Sequence, residues 1–91
     1  MGAGMSDELE IIRRKLRFRS LRRGTKESDL VIGGFAARHL QDLSKEQLRQ
    51  FEELLDENDQ DVLSWVINIT PPPDRFDCEV LDMMRDFKKN L

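Results

Sequence analysis

The chain has 91 residues and a net charge of −3, a length that fits one domain with a small core. Charged residues make up 36% of it and apolar residues 38%, and the apolar residues recur at helical spacing, which excludes a disordered chain. No apolar run approaches the ~20 residues that cross a bilayer, so we expect no membrane insertion. A lone cysteine, Cys78, and an acidic N-terminus without the apolar stretch of a secretory signal predict a reducing cytoplasm.

Charge is distributed unevenly along the chain. Residues 27–91 carry fifteen acids and seven bases, whereas residues 13–26 carry eight bases and no acid. Those bases are Arg13, Arg14, Lys15, Arg17, Arg19, Arg22, Arg23 and Lys26. The sequence therefore predicts a basic first helix on an acidic body, with part of its charge paired internally and the rest available to a partner.

The first helix is predicted at residues 7–23. Leu9, Ile12 and Leu16, continued by Ser20, form one stripe at helical spacing. Gly24 stands where a C-terminal glycine belongs, because the left-handed conformation costs glycine little. Residues 1–6 are expected to be a disordered tail or a remnant of cloning with Met5 as the natural start, and residues 7–91 the folded domain.

The second helix is predicted at residues 26–40. Thr25 is placed as its cap, and Glu27 and Asp29 suit the positive end of its dipole. The residues expected to face inward are Leu30, Val31, Phe35 and Leu40. The adjacent pair Gly33 and Gly34 costs about 1 kcal/mol per glycine in helix propensity, which indicates close helix packing or a partner contact.

Three further helices complete the prediction. Ser44 and Gln47 form a capping-box pattern for the third, and Asn58 or Asp59 caps the fourth, which ends at the proline run starting at Pro71. The fifth follows from about residue 74. The residues expected to face inward are Leu48, Phe51, Leu54, Leu55, Val62, Leu63, Trp65, Val66, Ile67, Phe76, Val80, Leu81, Met84, Phe87 and Leu91. The sequence thus predicts an all-α fold, a compact single-domain bundle of five short helices.

The inventory of reactive side chains argues against an enzyme. The single histidine, His39, and the single cysteine, Cys78, fall on different predicted helices without a flanking motif. The acidic run from Asp56 fails as an EF-hand loop, because Asp61 stands where glycine is required and Ile67 where glutamate is required. We therefore expect no catalytic residue, no metal ligand and no stably bound cofactor.

The basic helix admits three interpretations: a solvated face, a nucleic-acid surface, or a surface for an acidic protein. The isoelectric point near 5.1 and the lack of a helix-turn-helix pattern argue against nucleic acid. Ile11 and Phe18 lie seven residues apart, opposite the inward stripe, and favour a docking anchor for a protein. Packing of that pair on the chain's own helices explains it equally well.

Two motifs resemble those of a known family. The pattern Arg-Gly-x-x-Glu, here Arg23, Gly24 and Glu27, resembles the signature of the SdhE family of small assembly factors. These promote covalent attachment of FAD to the flavoprotein subunit of succinate dehydrogenase. The block from Asp59 to Trp65 resembles a second part of the family pattern at its usual spacing, and the resemblance covers about residues 12–87.

The resemblance implies a bacterial cytoplasmic protein, monomeric when free, that binds the flavoprotein subunit of succinate dehydrogenase or fumarate reductase. It would hold the partner in a reactive arrangement while the flavin is joined to the partner's own histidine. Arg23 would offer a fork to the partner's carboxylate or carbonyl groups. The expected partner-binding residues are Arg17, Phe18, Arg19, Arg22, Arg23, Gly24, Glu27 and Asp29. The alternative function is a small basic-helix regulator that binds nucleic acid or a toxin-like protein.

Overall fold

A computed structural model describes the backbone of residues 3–91 and the side chains of residues 8–91, in which five helices and no strand are present. The first two helices are α1 (Ala3–Ser20) and a composite α2. The composite joins an α-helical turn (Lys26–Ser28), a π-helical segment (Asp29–Gly33) and an α-helical segment (Gly34–His39). The remaining helices are α3 (Lys45–Leu55), α4 (Asp59–Val66) and α5 (Glu79–Lys89). The predicted all-α fold is confirmed.

One apolar core lies between the five helices. It is built around Phe35 and Phe51, whose ring centroids are 5.6 Å apart. Leu16 brings α1 into the core, and Trp65 stacks on Phe76 with centroids 5.2 Å apart. These side chains are all buried, as are nearly all of the predicted inward residues of α3, α4 and α5. The helical spacing of apolar residues therefore predicted most of the core residues.

Local capping signals form as predicted. Ser44 and Gln47 make the reciprocal capping box of α3, with backbone-to-side-chain bonds of 3.0 and 3.1 Å. Asn58 caps α4 by accepting from the backbone of Gln60 at 2.8 Å. Each cap joins groups two or three residues apart, which explains why sequence patterns find them.

Several predicted boundaries and faces are wrong. Helix α1 ends at Ser20, three residues earlier than predicted, and α5 begins at Glu79 after a 3₁₀ turn over Asp74–Phe76. Leu30 was expected inside but is 53% exposed, because the π-helical segment rotates the face of α2 and turns Ile32 inward instead. Leu91 and Ile67 are also exposed, since both lie beyond the last turn of their helices.

The glycine pair in α2 allows close helix packing. A side-chain carbon added at Gly33 would lie 3.0 Å from the backbone oxygen of Ser20, at the end of α1. One added at Gly34 would lie 3.1 Å from the ring of Phe87 on α5. Of the two explanations offered for this pair, close packing is confirmed.

The N-terminal interpretation extends beyond the described part of the chain. Residues 1 and 2 lie outside the described part of the chain, and the interpretation of residues 1–6 as a tail or cloning remnant stays a prediction. Within residues 3–91, no helix is both long enough and apolar enough to cross a membrane.

Candidate functional site

The turn between α1 and α2, residues 21–25, carries two positive backbone angles. Gly24 has φ of +117°, which favours glycine as the sequence predicts. Arg22 has φ of +53°, a left-handed conformation that is uncommon for a residue with a long side chain. The first residue after α1 with a positive φ is thus Arg22, and Gly24 is the second. Such a conformation persists only where surrounding contacts hold it.

The side chain of Arg23, the residue after Arg22, anchors the turn to the rest of the fold. Its Nη2 donates to Asp59 Oδ1 at 2.8 Å and to the backbone oxygen of Leu55 at 2.9 Å. Its Nε donates to both oxygens of Asp59 at 3.2 and 3.3 Å, and its Nη1 donates to the backbone oxygen of Arg19 at 2.8 Å. The side chains of Arg23 and Asp59 are only 16% and 17% exposed. One guanidinium therefore joins the ends of α1 and α3 to the start of α4.

The start of α2 is fixed by short-range hydrogen bonds. Thr25 Oγ1 accepts from the backbone N–H of Ser28 at 3.1 Å, which confirms the predicted cap. The buried hydroxyl of Ser28 lies 2.5 Å from Thr25 Oγ1. A carboxylate oxygen of Asp29 accepts from the backbone N–H of Arg23 and closes the turn onto the helix. These bonds hold Glu27 on the exposed side of the first helical turn.

The outer side of the turn is open. Arg22, Gly24 and Glu27 are exposed, and no atom outside residues 23–25 lies within 4 Å of a side-chain carbon built at Gly24. A partner can therefore approach the backbone of the turn directly, close in sequence to the exposed cation of Arg22 and the exposed carboxylate of Glu27.

The outer face of α1 continues this surface with apolar groups. Ile11 is 62% exposed and Phe18 is 79% exposed, and a shallow depression connects them along Arg14, Lys15 and Arg19. Of the two explanations for this pair, packing on the chain's own helices is wrong. Apolar side chains that stay exposed between cations are typical of an interaction surface.

The basic helix divides into paired and outward-facing cations. Arg13 donates to the backbone oxygens of Leu40 and Leu43, and Arg19 pairs with Asp56 at 2.5 Å. Within residues 13–26, the exposed cations that make no ion pair to any side chain the structure describes are Arg14, Lys15, Arg17, Arg22 and Lys26. The predicted division between internal and available charge is present.

The structure brings most of the predicted site residues together. Arg22, Arg23 and Gly24 lie in the turn, and Glu27 and Asp29 follow it at the start of α2. The other three, Arg17, Phe18 and Arg19, lie on the adjoining end of α1. The fork expected to reach a partner through Arg23 is directed inward, since all three of its nitrogens donate to groups of this chain. Contact of these eight residues with a partner stays a prediction.

Sequence reasoning did not assign Asp59 to the site. The sequence places this residue in the second motif block and offers it as a possible helix cap, whereas in the structure it is the carboxylate that binds Arg23. It lies 36 residues from Arg23 in sequence, and no spacing rule joins positions so far apart. The motif block that begins at Asp59 was the one available signal.

His39 and Cys78 do not join the turn. The ring of His39 lies against Phe35 and Phe87, with centroids 5.1 and 5.9 Å away. Cys78 is half-buried and packs against the core. Both residues therefore lie partly buried at the edge of the core.

Comparison with known proteins identifies the family. The family described as flavinator of succinate dehydrogenase matches residues 14–88. Among curated proteins, succinate dehydrogenase assembly factor 2-A, mitochondrial, of Drosophila sechellia is 34% identical over 87 residues, covering 93% of this chain and 53% of that protein. Succinate dehydrogenase assembly factor 2, mitochondrial, of Dictyostelium discoideum is 36% identical over 83 residues, covering 91% of this chain and 59% of that protein.

This chain thus spans a little over half the length of the curated relatives it matches. The matched range contains the whole interhelical turn and Asp59. The resemblance carried by the Arg-Gly-x-x-Glu motif is therefore confirmed. This chain belongs to the Sdh5 family, the flavinators of succinate dehydrogenase.

Proposed function

We propose that this chain is an assembly factor that binds the flavoprotein subunit of succinate dehydrogenase and promotes covalent attachment of FAD to it. The family match over residues 14–88 carries the proposal. Support comes from the open turn at Gly24, which is flanked by exposed charge and continues into an exposed apolar face on α1. The subunit of fumarate reductase is a second acceptor that the same surface would fit.

The proposed docking surface consists of the exposed members of the predicted site. They are Arg17, Phe18, Arg22, Gly24 and Glu27. Phe18 would supply apolar contact area, and Gly24 would let the two backbones meet closely. The cations favour a partner surface rich in carboxylates and speed the encounter with it.

The chain acts in this proposal by binding alone. FAD and the histidine that receives it belong to the partner, and no side chain of this chain makes or breaks a bond. Binding energy at the turn stabilises the partner conformation in which flavin and histidine are close, so the reactive arrangement becomes more populated. A monomeric factor acting in the cytoplasm satisfies this scheme, and both properties stay predictions.

The experiment is in-gel flavin fluorescence of denatured flavoprotein subunit, co-expressed with and without this chain. We expect fluorescence to depend on the chain and to fall with Glu27→Ala, while the melting temperature changes little. Glu79→Ala is the matched control, since Glu79 is also an exposed acid in the first turn of a helix. Equal fluorescence with and without the chain would refute the proposed function.

A nucleic-acid partner is the competing function, and the exposed cations of α1 are the observation in its favour. The exposed Phe18 and Ile11 between those cations favour a protein instead. A gel shift with mixed-sequence DNA at moderate salt separates the two. A stable shifted band together with chain-independent flavinylation would establish the competing function.

A further inference from the structure

Asp59 lies outside the interhelical turn, yet it contacts the turn through Arg23. We propose that Asp59 is a positioning residue. It holds Arg23 inward, so that Arg22 rather than Arg23 presents the cation to the partner beside Gly24 and Glu27. The inference rests on the proposed function and assigns the roles of the two adjacent arginines within the same surface.

The geometry of the ion pair supports the claim that Asp59 holds Arg23 inward. Asp59 is the first residue of α4, where the positive end of the helix dipole favours its negative charge. Both of its carboxylate oxygens accept from Arg23, at distances of 2.8 to 3.3 Å. Both side chains are more than four-fifths buried. Separating such a pair leaves a poorly hydrated charge, which makes rearrangement of Arg23 toward a partner costly.

The backbone oxygens around Arg23 support the claim that its side chain is not free to contact a partner. Nη1 and Nη2 also satisfy the carbonyls of Arg19 and Leu55, which lie in the last turns of α1 and α3. If Arg23 turned outward to a partner, the backbone oxygens at these two helix ends would lose the hydrogen-bond donor that Arg23 supplies. Asp59 would also lose its counter-ion. The guanidinium is therefore committed to the fold.

Arg22 has the opposite environment. It is exposed, it makes no ion pair to any side chain that the structure describes, and its φ of +53° is uncommon for a residue with a long side chain. The next residue, Arg23, is fixed by its side chain on Asp59 and by its backbone N–H on Asp29, and these two contacts hold the uncommon conformation in place. Loss of the Asp59 carboxylate would release the turn and disperse the positions of Arg22 and Glu27.

The central test is the rate of flavinylation of purified flavoprotein subunit, measured against the concentration of this chain. Asp59→Asn keeps the side-chain volume and removes the charge. We expect the half-saturating concentration to rise about tenfold, a change equivalent to weaker docking. The maximal rate at saturation should stay unchanged, because Glu27 and Gly24 are intact. Asp59→Glu restores the carboxylate and should recover most of the affinity.

Two controls separate positioning from general stability. Asp82→Asn breaks the exposed ion pair with Arg85 and should change neither quantity. Thermal melting of every variant identifies any that are partly unfolded at the assay temperature. A fall in maximal rate without a change in half-saturating concentration would overturn the positioning role.

The dependence of partner binding on salt concentration distinguishes the roles of Arg22 and Arg23. Arg22→Ala should weaken binding and reduce its dependence on salt concentration, because a partner-facing charge is lost. Arg23→Ala should weaken binding with the salt dependence unchanged, because its charge is already paired internally. The reverse pattern would overturn the assignment and make Arg23 the contact residue.

Hydrogen exchange of the isolated chain tests the conformational claim without the partner. Asp59→Asn should speed amide exchange across residues 21–29 and leave α3 and α5 unchanged. Unchanged exchange in the turn would overturn the inference even if flavinylation depends on the chain. Faster exchange together with chain-independent flavinylation would instead refute the proposed function and the docking role. It would still show that Asp59 stabilises the turn.

Discussion

Two substitutions of Gly24 can distinguish the effect of backbone strain in the turn from the effect of blocking a partner's access to it. Its φ of +117° strains any residue with a side chain, at a cost of about 1–3 kcal/mol. No neighbouring atom lies within 4 Å of an added side-chain carbon, so the unbound chain adds no steric cost. Gly24→Ala and Gly24→Arg should therefore lose similar stability. For a domain of this size, each kcal/mol lowers the melting temperature by about 4–8 °C.

Partner binding should distinguish the two variants. The alanine methyl group fits an open surface, whereas an arginine side chain fills the space through which the partner approaches the backbone. We expect Gly24→Arg to bind at least about tenfold more weakly than Gly24→Ala. Circular dichroism melts and pull-down of the flavoprotein subunit measure the two effects. Equal binding losses would show that backbone strain, not access, matters, and loss of helicity would give Gly24 a structural role.

Two further predictions concern the helix contact and the apolar face. Gly33→Ala should destabilise the fold by about 1 kcal/mol, because overpacking against the backbone of Ser20 outweighs the gain in helix propensity. Gly34→Ala meets only a side chain that can move and should be neutral or stabilising; equal losses in urea melts would contradict this. Phe18→Ser should weaken partner binding about tenfold with stability nearly unchanged, whereas Ile69→Ser, 72% exposed elsewhere, should change neither.

Helices and their caps were predictable from the sequence because their causes are local. The caps at Thr25, Ser44 and Asn58 each join groups two or three residues apart, and the inward stripes repeat with the period of an α-helix. Charge separation along the chain likewise predicted an exposed basic face on α1. The motif around Gly24 located the candidate site, since a positive φ and an open backbone both require glycine there.

Tertiary structure decided which of the two arginines before Gly24 is exposed. Arg22 and Arg23 are adjacent residues of the same type. The partners that draw Arg23 inward include a carboxylate 36 residues away and a backbone oxygen 32 residues away. The exposure of Leu30 has the same kind of cause, since the π-helical segment departs from the α-helical period that sequence patterns assume. The sequence by itself determined the helices, the core and the location of the turn, because these depend on neighbouring residues. The direction of each side chain at the turn depended on contacts between distant helices, which exist only in the folded chain.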